Sequence, residues 1–393
     1  MLYLLLGFIA FVFSAISSQS RIKTEQMKYL NLTLFVLFFI WGFEYYNTVD
    51  YRVMLEKFNQ IVYGKINYET SGSVTYVEPL CRLLFYICSP FGNLTYYILV
   101  ALFEVLVIKI IVIKYVPQKY FWLLMVLILF QFEYTIVLMT LKRQIFAVFV
   151  SLLMIYVLNE KYLVWPFKKV FIVSLLLCFI AYNIHKSVIV SILFIPLWLL
   201  TKYQLSKRMK FIIICLYAFQ YFFDLSAYSN IFFNLIESRD EKYAHYALQI
   251  AEGGRETSIV HIIIEFITFF LMIFTLNLCN RKEKVFYYAA ILYSLLVNFF
   301  IMDSGRILLP FRICQLFAIP IMISKLEGFN KYLSKIIVAV FIIISIKSTY
   351  QVYTDIDKSS MTEGFKSFNL IFEAPSLQID NPKSESKKYL PYR

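Results

Sequence analysis

Charged residues are scarce in this chain, and their scarcity indicates its class. Asp, Glu, Lys and Arg together make up 16% of the 393 residues, whereas they make up about a quarter of a typical soluble domain. Hydrophobic residues make up 60% and occur in long runs such as VFIVSLLLCFIAY and KIIVAVFIIISIK. These runs lack the alternation of apolar and polar positions that a membrane β-barrel requires. The composition therefore predicts an all-α polytopic membrane protein.

The motifs of several common chemistries are absent as well. The chain has no G-x-G-x-x-G, no Walker loop and no G-x-S-x-G, so nucleotide-driven transport and serine-hydrolase chemistry have no support. Its six cysteines form no C-x-x-C and no metal-ligand spacing. The net charge of +13 comes from short basic clusters between apolar runs, which is typical of helix orientation and not of nucleic-acid binding. We therefore expect no cofactor, no metal and no nucleic-acid partner.

The apolar runs predict about twelve membrane-spanning helices. Loops after odd-numbered spans are rich in Lys and Arg, as in TKYQLSKRMK and NRKEK, and loops after even-numbered spans are poor in them. Because basic loops stay in the cytoplasm, this pattern places both termini outside. The predicted spans are roughly 2–18, 29–46, 94–113, 120–139, 144–158, 169–184, 187–201, 210–224, 258–279, 284–302, 307–324 and 332–350.

This topology also assigns the segments between the spans. Residues 1–350 form a single transmembrane domain with external segments at 47–93 and 225–257, and residues 351–393 form an external tail. Segment 76–92, YVEPLCRLLFYICSPFG, would break the alternation if it crossed the membrane. The prolines near its two ends favour a re-entrant or interfacial helix on the outer side. The first 18 residues lack the basic start of a signal peptide, so we expect a retained helix.

Several charged residues fall at this outer level, where the basic-loop rule does not explain them. An arginine inside a span costs about 2.5–3.5 kcal/mol and normally faces a cavity or a partner. Guanidinium groups bind phosphate oxygens in pairs, and carboxylates or histidine accept protons. The arginines of interest are Arg82, Arg143, Arg306 and Arg312, which together predict a cationic pocket, and the candidate proton acceptors are Asp50, Glu78 and His185.

Each of these residues also has a simpler interpretation. The adjacent Lys142 and Arg143 could anchor a helix end in the headgroups. Glu78, which precedes Pro79, could cap a helix, and Arg306 could pair with Asp303. A second group lies within the predicted spans, where buried hydrogen bonding is favoured over a proton or ion pathway: Glu104, Glu133, His261 and Glu265.

Five short motifs, taken in order, resemble those of EpsG/Wzy-type bacterial polysaccharide polymerases, the family of O-antigen, exopolysaccharide and capsule polymerases. The similarity covers roughly residues 45–312. Lys142 before Arg-Gln and Val49 before Asp50 depart from the family pattern. The motifs in this chain are NTVDYRVMLEKFNQ, VEPLCRLLFYI, LKRQIFAVFVSLLMIYVL, NIHKSVIVSILFIPL and SGRILLPFRIC.

The resemblance implies a glycosyltransferase of the cytoplasmic (inner) membrane, with an architecture like that of GT-C enzymes. Such an enzyme joins undecaprenyl-diphosphate-linked oligosaccharide repeat units at the periplasmic or exterior face, needs no cofactor, and can work with a chain-length regulator. Lys142 would join Arg82, Arg143, Arg306 and Arg312 in holding the lipid diphosphate. The catalytic base would be Asp50, Glu78 or His185. The alternatives are a flippase, a glycan ligase and a membrane-bound O-acyltransferase.

The predicted topology can be tested by labelling. Cysteines introduced at Gln204 and Lys282, in predicted cytoplasmic loops, should resist an impermeant maleimide in intact cells, whereas cysteines at Thr70 and His245 should react. Labelling of opened cells, compared with the parent protein, controls for accessibility and for the native cysteines. Reaction at Gln204 from outside would contradict the assigned sides.

Overall fold

The protein is helical throughout the part of the chain that the structure describes. The structure is a computed structural model that describes residues 2–44, 49–64, 77–222, 259–297 and 307–354, and none of these residues forms a strand. The α-helices are α1 Leu2–Gln19, α2 Lys23–Gly42, α3 Val49–Tyr63, α4 Pro79–Cys88, α5 Asn93–Tyr115, α6 Phe121–Phe130, α7 Phe132–Thr140, α8 Lys142–Glu160, α9 Phe167–Ile184, α10 Phe194–Leu200, α11 Lys207–Phe222, α12 Ile259–Thr275, α13 Arg281–Leu296, α14 Leu309–Phe329 and α15 Lys331–Thr354.

Five of the described helical segments are long and apolar enough to cross a bilayer: 2–19, 93–115, 142–163, 167–184 and 309–329. Four shorter apolar segments occupy 79–91, 118–130, 186–200 and 263–278. The chain is therefore a multi-pass helical membrane protein, as its composition predicts. The full count of about twelve spans and the likeness to GT-C enzymes stay predictions.

The helices divide into two compact units. The first unit comprises residues 1–149, 183–186 and 335–393, and the second comprises 150–182 and 187–334. In the first unit α1 packs on α2 and α6, and α2 packs on α5. In the second unit α13 packs on α14, and α10, α11 and α12 pack on α13. The single domain predicted for residues 1–350 stays a prediction.

Helix α4 lies where the sequence predicts an outer helix. Its buried positions, Cys81, Phe85 and Cys88, follow helical spacing and pack against α3 and α5. The ring of Phe85 contacts those of Phe58 and Tyr96 edge-on, with centroids 5.4 Å and 5.1 Å away. The opposite face is exposed and apolar, which fits a helix against lipid. Its interfacial or re-entrant position stays a prediction.

The predicted span 120–139 is not one helix, because the chain breaks at Gln131 between α6 and α7. Side-chain hydroxyls donate to the backbone carbonyls around this break. Tyr3 Oη donates to the Leu129 carbonyl at 2.5 Å and Thr349 Oγ1 to that of Phe130 at 2.7 Å. Thr135 Oγ1 donates to the carbonyls of Ile128 and Gln131 at 2.9 Å and 3.0 Å. The break is possible in an apolar setting because these carbonyls have donors.

Near the start of α13 the basic segment NRKEK is part of the helix and not a free loop. Asn280 and Glu283 form a capping box, each side chain bonding the other residue's backbone N–H. Glu283 also pairs with Lys325 at 2.8 Å, and Lys282 pairs with Glu160 at 2.7 Å. Asp303, Arg306 and the whole predicted external segment 225–257 lie outside the described residues.

The hydroxyl at the α6–α7 break should stabilise the fold. We expect Thr135→Val to lower the free energy of unfolding by about 1–3 kcal/mol, because a buried carbonyl loses its donor. Thr33→Val is the matched control: Thr33 is equally buried, but its hydroxyl bonds the Tyr29 carbonyl inside an unbroken helix. Thermal unfolding of the purified proteins measures both, and equal losses would contradict a special role for Thr135.

Candidate functional site

The centre of the candidate site is an ion pair between two residues that the sequence singles out. Arg143 Nη1 donates to Glu78 Oε2 at 2.9 Å. Both side chains are mostly buried, with exposed fractions of 13% for Arg143 and 8% for Glu78. Arg143 is in the first turn of α8 and Glu78 directly precedes α4. The pair thus joins the VEPLCR and LKRQ motifs across 65 residues of chain.

Glu78 also contacts the NIHKS motif. Its Oε1 accepts a hydrogen bond from the backbone N–H of Lys186 at 3.2 Å. Lys186 begins a 3₁₀ helix, Lys186–Leu193, so this N–H belongs to a helix start that lacks an intrahelical acceptor. His185 is the residue before it and is half-buried. The carboxylate therefore connects the segments that carry Arg143 and His185.

The alternative interpretation of Glu78 as a helix cap is confirmed for its position. Glu78 does occupy the N-cap position of α4, with extended backbone angles and Pro79 next. Its carboxylate makes no capping hydrogen bond to the first turn of α4. The two oxygens accept hydrogen bonds from Arg143 and Lys186 instead, so the side chain also connects separate segments of the chain.

Arg82 lies one turn after Glu78 on α4. It is exposed and lines an open pocket of about 330 Å³ together with Val77, Pro79, Leu83 and Tyr86. Cys81, on the buried face of the same helix, is no candidate nucleophile, because burial raises the pKa of its thiol to about 12 even though Arg143 acts against that shift. This end of α4 therefore offers a pocket with one exposed guanidinium.

Lys142 lies in different surroundings from those that the sequence predicts. Its side chain is fully buried and not at a surface. Its Nζ lies 3.6 Å from Glu44 Oε2 and 3.8 Å from Glu104 Oε2, and it donates to the Leu138 carbonyl at 3.2 Å. A buried ammonium held in this way cannot snorkel as an anchor. These contacts also give no support to the phosphate-binding role predicted for Lys142.

That the remaining predicted residues join this cluster stays a prediction. Arg312 is half-buried in α14 of the second unit. Asp50 is in α3, but its side chain lies outside the described residues, and Arg306 is outside them entirely. The common pocket of Arg82, Arg143, Arg306 and Arg312 therefore stays a prediction, as do the roles assigned to the individual residues.

The sequence analysis missed Glu44, one member of the Lys142 cluster, which consists of Glu44, Glu104 and Lys142. Glu44 lies in the stretch WGFEYYN, at the end of the second predicted span. An ionisable residue inside an apolar span is uncommon and generally has a partner. This signal applies to Glu44 as it does to Glu104. Their shared partner, Lys142 on α8, could not be identified from the spacing of residues in the sequence.

The fold and the paired charges define a multi-pass helical membrane protein with a polar cluster built from three separate segments of chain. The chain belongs to the EpsG family, whose family model matches residues 27–369. This family is of the polysaccharide polymerase type, and the resemblance drawn from the five motifs is thereby confirmed. Comparisons with curated proteins and with solved structures find no match.

The burial of Lys142 leads to a stability prediction. Lys142→Met leaves two buried carboxylates without their cation, and breaking a buried ion pair in this way costs about 3–5 kcal/mol. We expect a marked fall in thermal stability. Lys282→Met is the control, because the Lys282 side chain is 39% exposed in its pair with Glu160, and exposed pairs contribute about 0–1 kcal/mol. Equal stability of the two variants would contradict the importance of the Lys142 cluster.

Proposed function

We propose that this protein is a polysaccharide polymerase of the cytoplasmic membrane that joins undecaprenyl-diphosphate-linked oligosaccharide repeat units at the outer face. Two findings support the proposal: membership of the EpsG family and the contact of Glu78 with both Arg143 and the Lys186 backbone. The second finding supports the proposed chemistry, because a guanidinium, a carboxylate and the segment that contains His185 meet at this contact. The exterior orientation rests on the basic-loop pattern.

The proposed reaction transfers one glycan chain to another. A hydroxyl oxygen of the acceptor sugar attacks the anomeric carbon of the donor glycan, and the bond from that carbon to the lipid diphosphate breaks. The diphosphate leaves with the bonding electrons, and the hydroxyl proton passes to a base. Negative charge therefore grows on the diphosphate as the reaction proceeds, and a fixed cation near it stabilises the transition state.

Arg143 is the residue that we assign to the diphosphate. A guanidinium has five N–H donors in a planar fork, and its bond to Glu78 uses Nη1. The carboxylate holds the fork in a fixed orientation, which reduces the entropy lost when phosphate oxygens bind. Arg82, which is exposed at the pocket on α4, is the second phosphate ligand in this proposal, and Arg306 and Arg312 complete the predicted set.

The base is one of the predicted proton acceptors, and two of these belong to the segments that meet here. Glu78 can take the proton on a lone pair that its bonds to Arg143 and Lys186 leave free, and His185 directly precedes Lys186, whose N–H donates to Glu78. Glu78→Gln keeps the shape of the side chain but removes the base, and His185→Ala removes the imidazole. A variant with normal turnover is excluded as the base, and normal turnover in both leaves Asp50.

Transport of the same lipid-linked oligosaccharide is a second candidate function. The observation in its favour is the helix break at Gln131, because transporters often build their sites from discontinuous helices. Deleting the gene separates the two functions. Loss of surface polymer with single lipid-linked repeats on the outer leaflet supports a polymerase, whereas repeats retained on the inner leaflet support a flippase.

Substitution of Arg143 tests the assigned phosphate contact. Arg143→Lys keeps the charge but loses the planar fork, so we expect turnover to fall tens- to several-hundred-fold, about 2–4 kcal/mol of transition-state stabilisation. The assay is polymerisation of lipid-diphosphate-linked repeats by purified protein in liposomes, with membrane insertion measured in parallel.

Arg208→Lys is the matched control for this substitution, because Arg208 is exposed on α11 and either cation suits a solvated position. It should retain full turnover. If Arg143→Lys also turned over at the parent rate, a helix anchor would describe Arg143 better than a phosphate ligand.

A further inference from the structure

The Lys142 cluster consists of Glu44, Glu104 and Lys142, and the proposed reaction does not use it. It joins the chain just after α2 to the middle of α5 and the first residue of α8. The exposed fractions of the side chains are 2% for Glu44 and 0% for both Glu104 and Lys142. All three charges are thus removed from solvent.

The ammonium group of Lys142 has a hydrogen-bond acceptor, whereas three of the carboxylate oxygens lack a donor among the described residues. Lys142 Nζ donates to the Leu138 carbonyl at 3.2 Å and lies 5.6 Å from the centre of the Trp41 ring. Lys142 Nζ, at 3.6 Å and 3.8 Å, is too far from Glu44 Oε2 and Glu104 Oε2 for a hydrogen bond, and among the described residues no other donor reaches Glu44 Oε2 or either oxygen of Glu104. Buried carboxylate oxygens normally accept hydrogen bonds. At least one donor is therefore needed in this cluster beyond those of Lys142.

The charges of the cluster do not balance either. Two carboxylates and one ammonium carry a net charge of −1, and an uncompensated buried charge is strongly unfavourable. In the described part of the chain, Lys142 attracts both carboxylates, and Glu44 and Glu104 repel each other. Tyr96 also faces Glu104, and the adjacent Arg143 is directed to Glu78.

We propose that the Lys142 cluster is a proton-binding site, in which Glu44 and Glu104 share one proton so that the cluster is an ammonium, a carboxylate and a carboxylic acid. One shared proton accounts for both the missing hydrogen-bond donor and the unbalanced charge. It brings the net charge to zero, and its O–H supplies the donor that the carboxylate oxygens lack. Two carboxyl groups that share a site commonly hold one proton between them.

A proton fits this site better than a metal cation. The Lys142 ammonium already lies within 4 Å of an oxygen of each carboxylate, so a metal ion between the same oxygens would meet a like charge at short range. A metal ion would also require several further oxygen ligands. A proton is held in a covalent O–H bond and requires one acceptor.

Infrared spectroscopy of the purified full-length protein tests the proposal directly. A protonated carboxyl absorbs at a C=O stretch distinct from that of a carboxylate, and an amide side chain lacks this band. We expect a protonated-carboxyl band at neutral pH that disappears in Glu44→Gln and also in Glu104→Gln, because each substitution leaves one carboxylate matched to one ammonium. Glu160→Gln, which removes the partly exposed partner of Lys282, should leave the band unchanged.

Thermal unfolding gives a second, independent readout. If the folded protein holds a proton that the unfolded chain releases, stability falls as the pH rises. The melting temperature of the parent protein should therefore drop as the pH is raised from about 6 to about 9, and the drop should be smaller in Glu104→Gln. The double variant Glu44→Gln/Glu104→Gln leaves the ammonium unpaired and should melt well below either single variant at every pH.

Two results would overturn the proposal. One is a parent spectrum without any protonated-carboxyl band that the Gln substitutions remove, which would mean that both carboxyls are ionised. The other is a melting temperature that rises with Na⁺ at constant ionic strength and loses this dependence in Glu104→Gln, which would assign the site to a metal cation. Neither readout involves polymer synthesis, so the proposal stands or fails separately from the proposed function.

Discussion

In the described part of the first unit, the packing of the helices depends on the pairing of charges in an apolar environment. The first turn of α8 contains two cations, Lys142 and Arg143, and three carboxylates from elsewhere in the chain face them. Glu44 and Glu104 face Lys142, and Glu78 faces Arg143. Since an isolated buried charge is far more costly than a paired one, these contacts hold the chain after α2, the middle of α5 and the start of α4 against α8.

The two adjacent cations serve different surroundings because of helix geometry. Successive residues on an α-helix are about 100° apart, so neighbours in sequence face different helices. Lys142 turns towards buried carboxylates and Arg143 towards the segment around Glu78, which is partly exposed. Neighbouring positions can therefore have different partners. In the sequence the two residues form one adjacent basic pair, so the same role is predicted for both.

Much of the architecture could be predicted from composition and order. The apolar runs locate helices such as α5, α9 and α14, and Pro79 with Gly92 brackets the short outer helix, where the chain leaves at a positive φ of 87°. The sequence also places Glu78 and Arg143 in motifs expected to share one site, but it does not predict that the two side chains pair. The burial of Lys142, its partner Glu44 and the break at Gln131 could not be predicted, because each depends on which face of one helix meets another.

The interruptions of the chain at Gln131 and Leu141 have a common physical basis. A helix that ends in an apolar medium leaves carbonyls without donors, and here side chains from elsewhere supply them. Hydroxyl groups do so around Gln131, while Lys142 bonds the Leu138 carbonyl in the last turn of α7, as cations near a helix C-terminus can. Lys142 thus ends one helix, begins the next and neutralises part of a buried acidic pair. Because Arg143 is the next residue, the contacts of Lys142 also help to hold Arg143 where it meets Glu78.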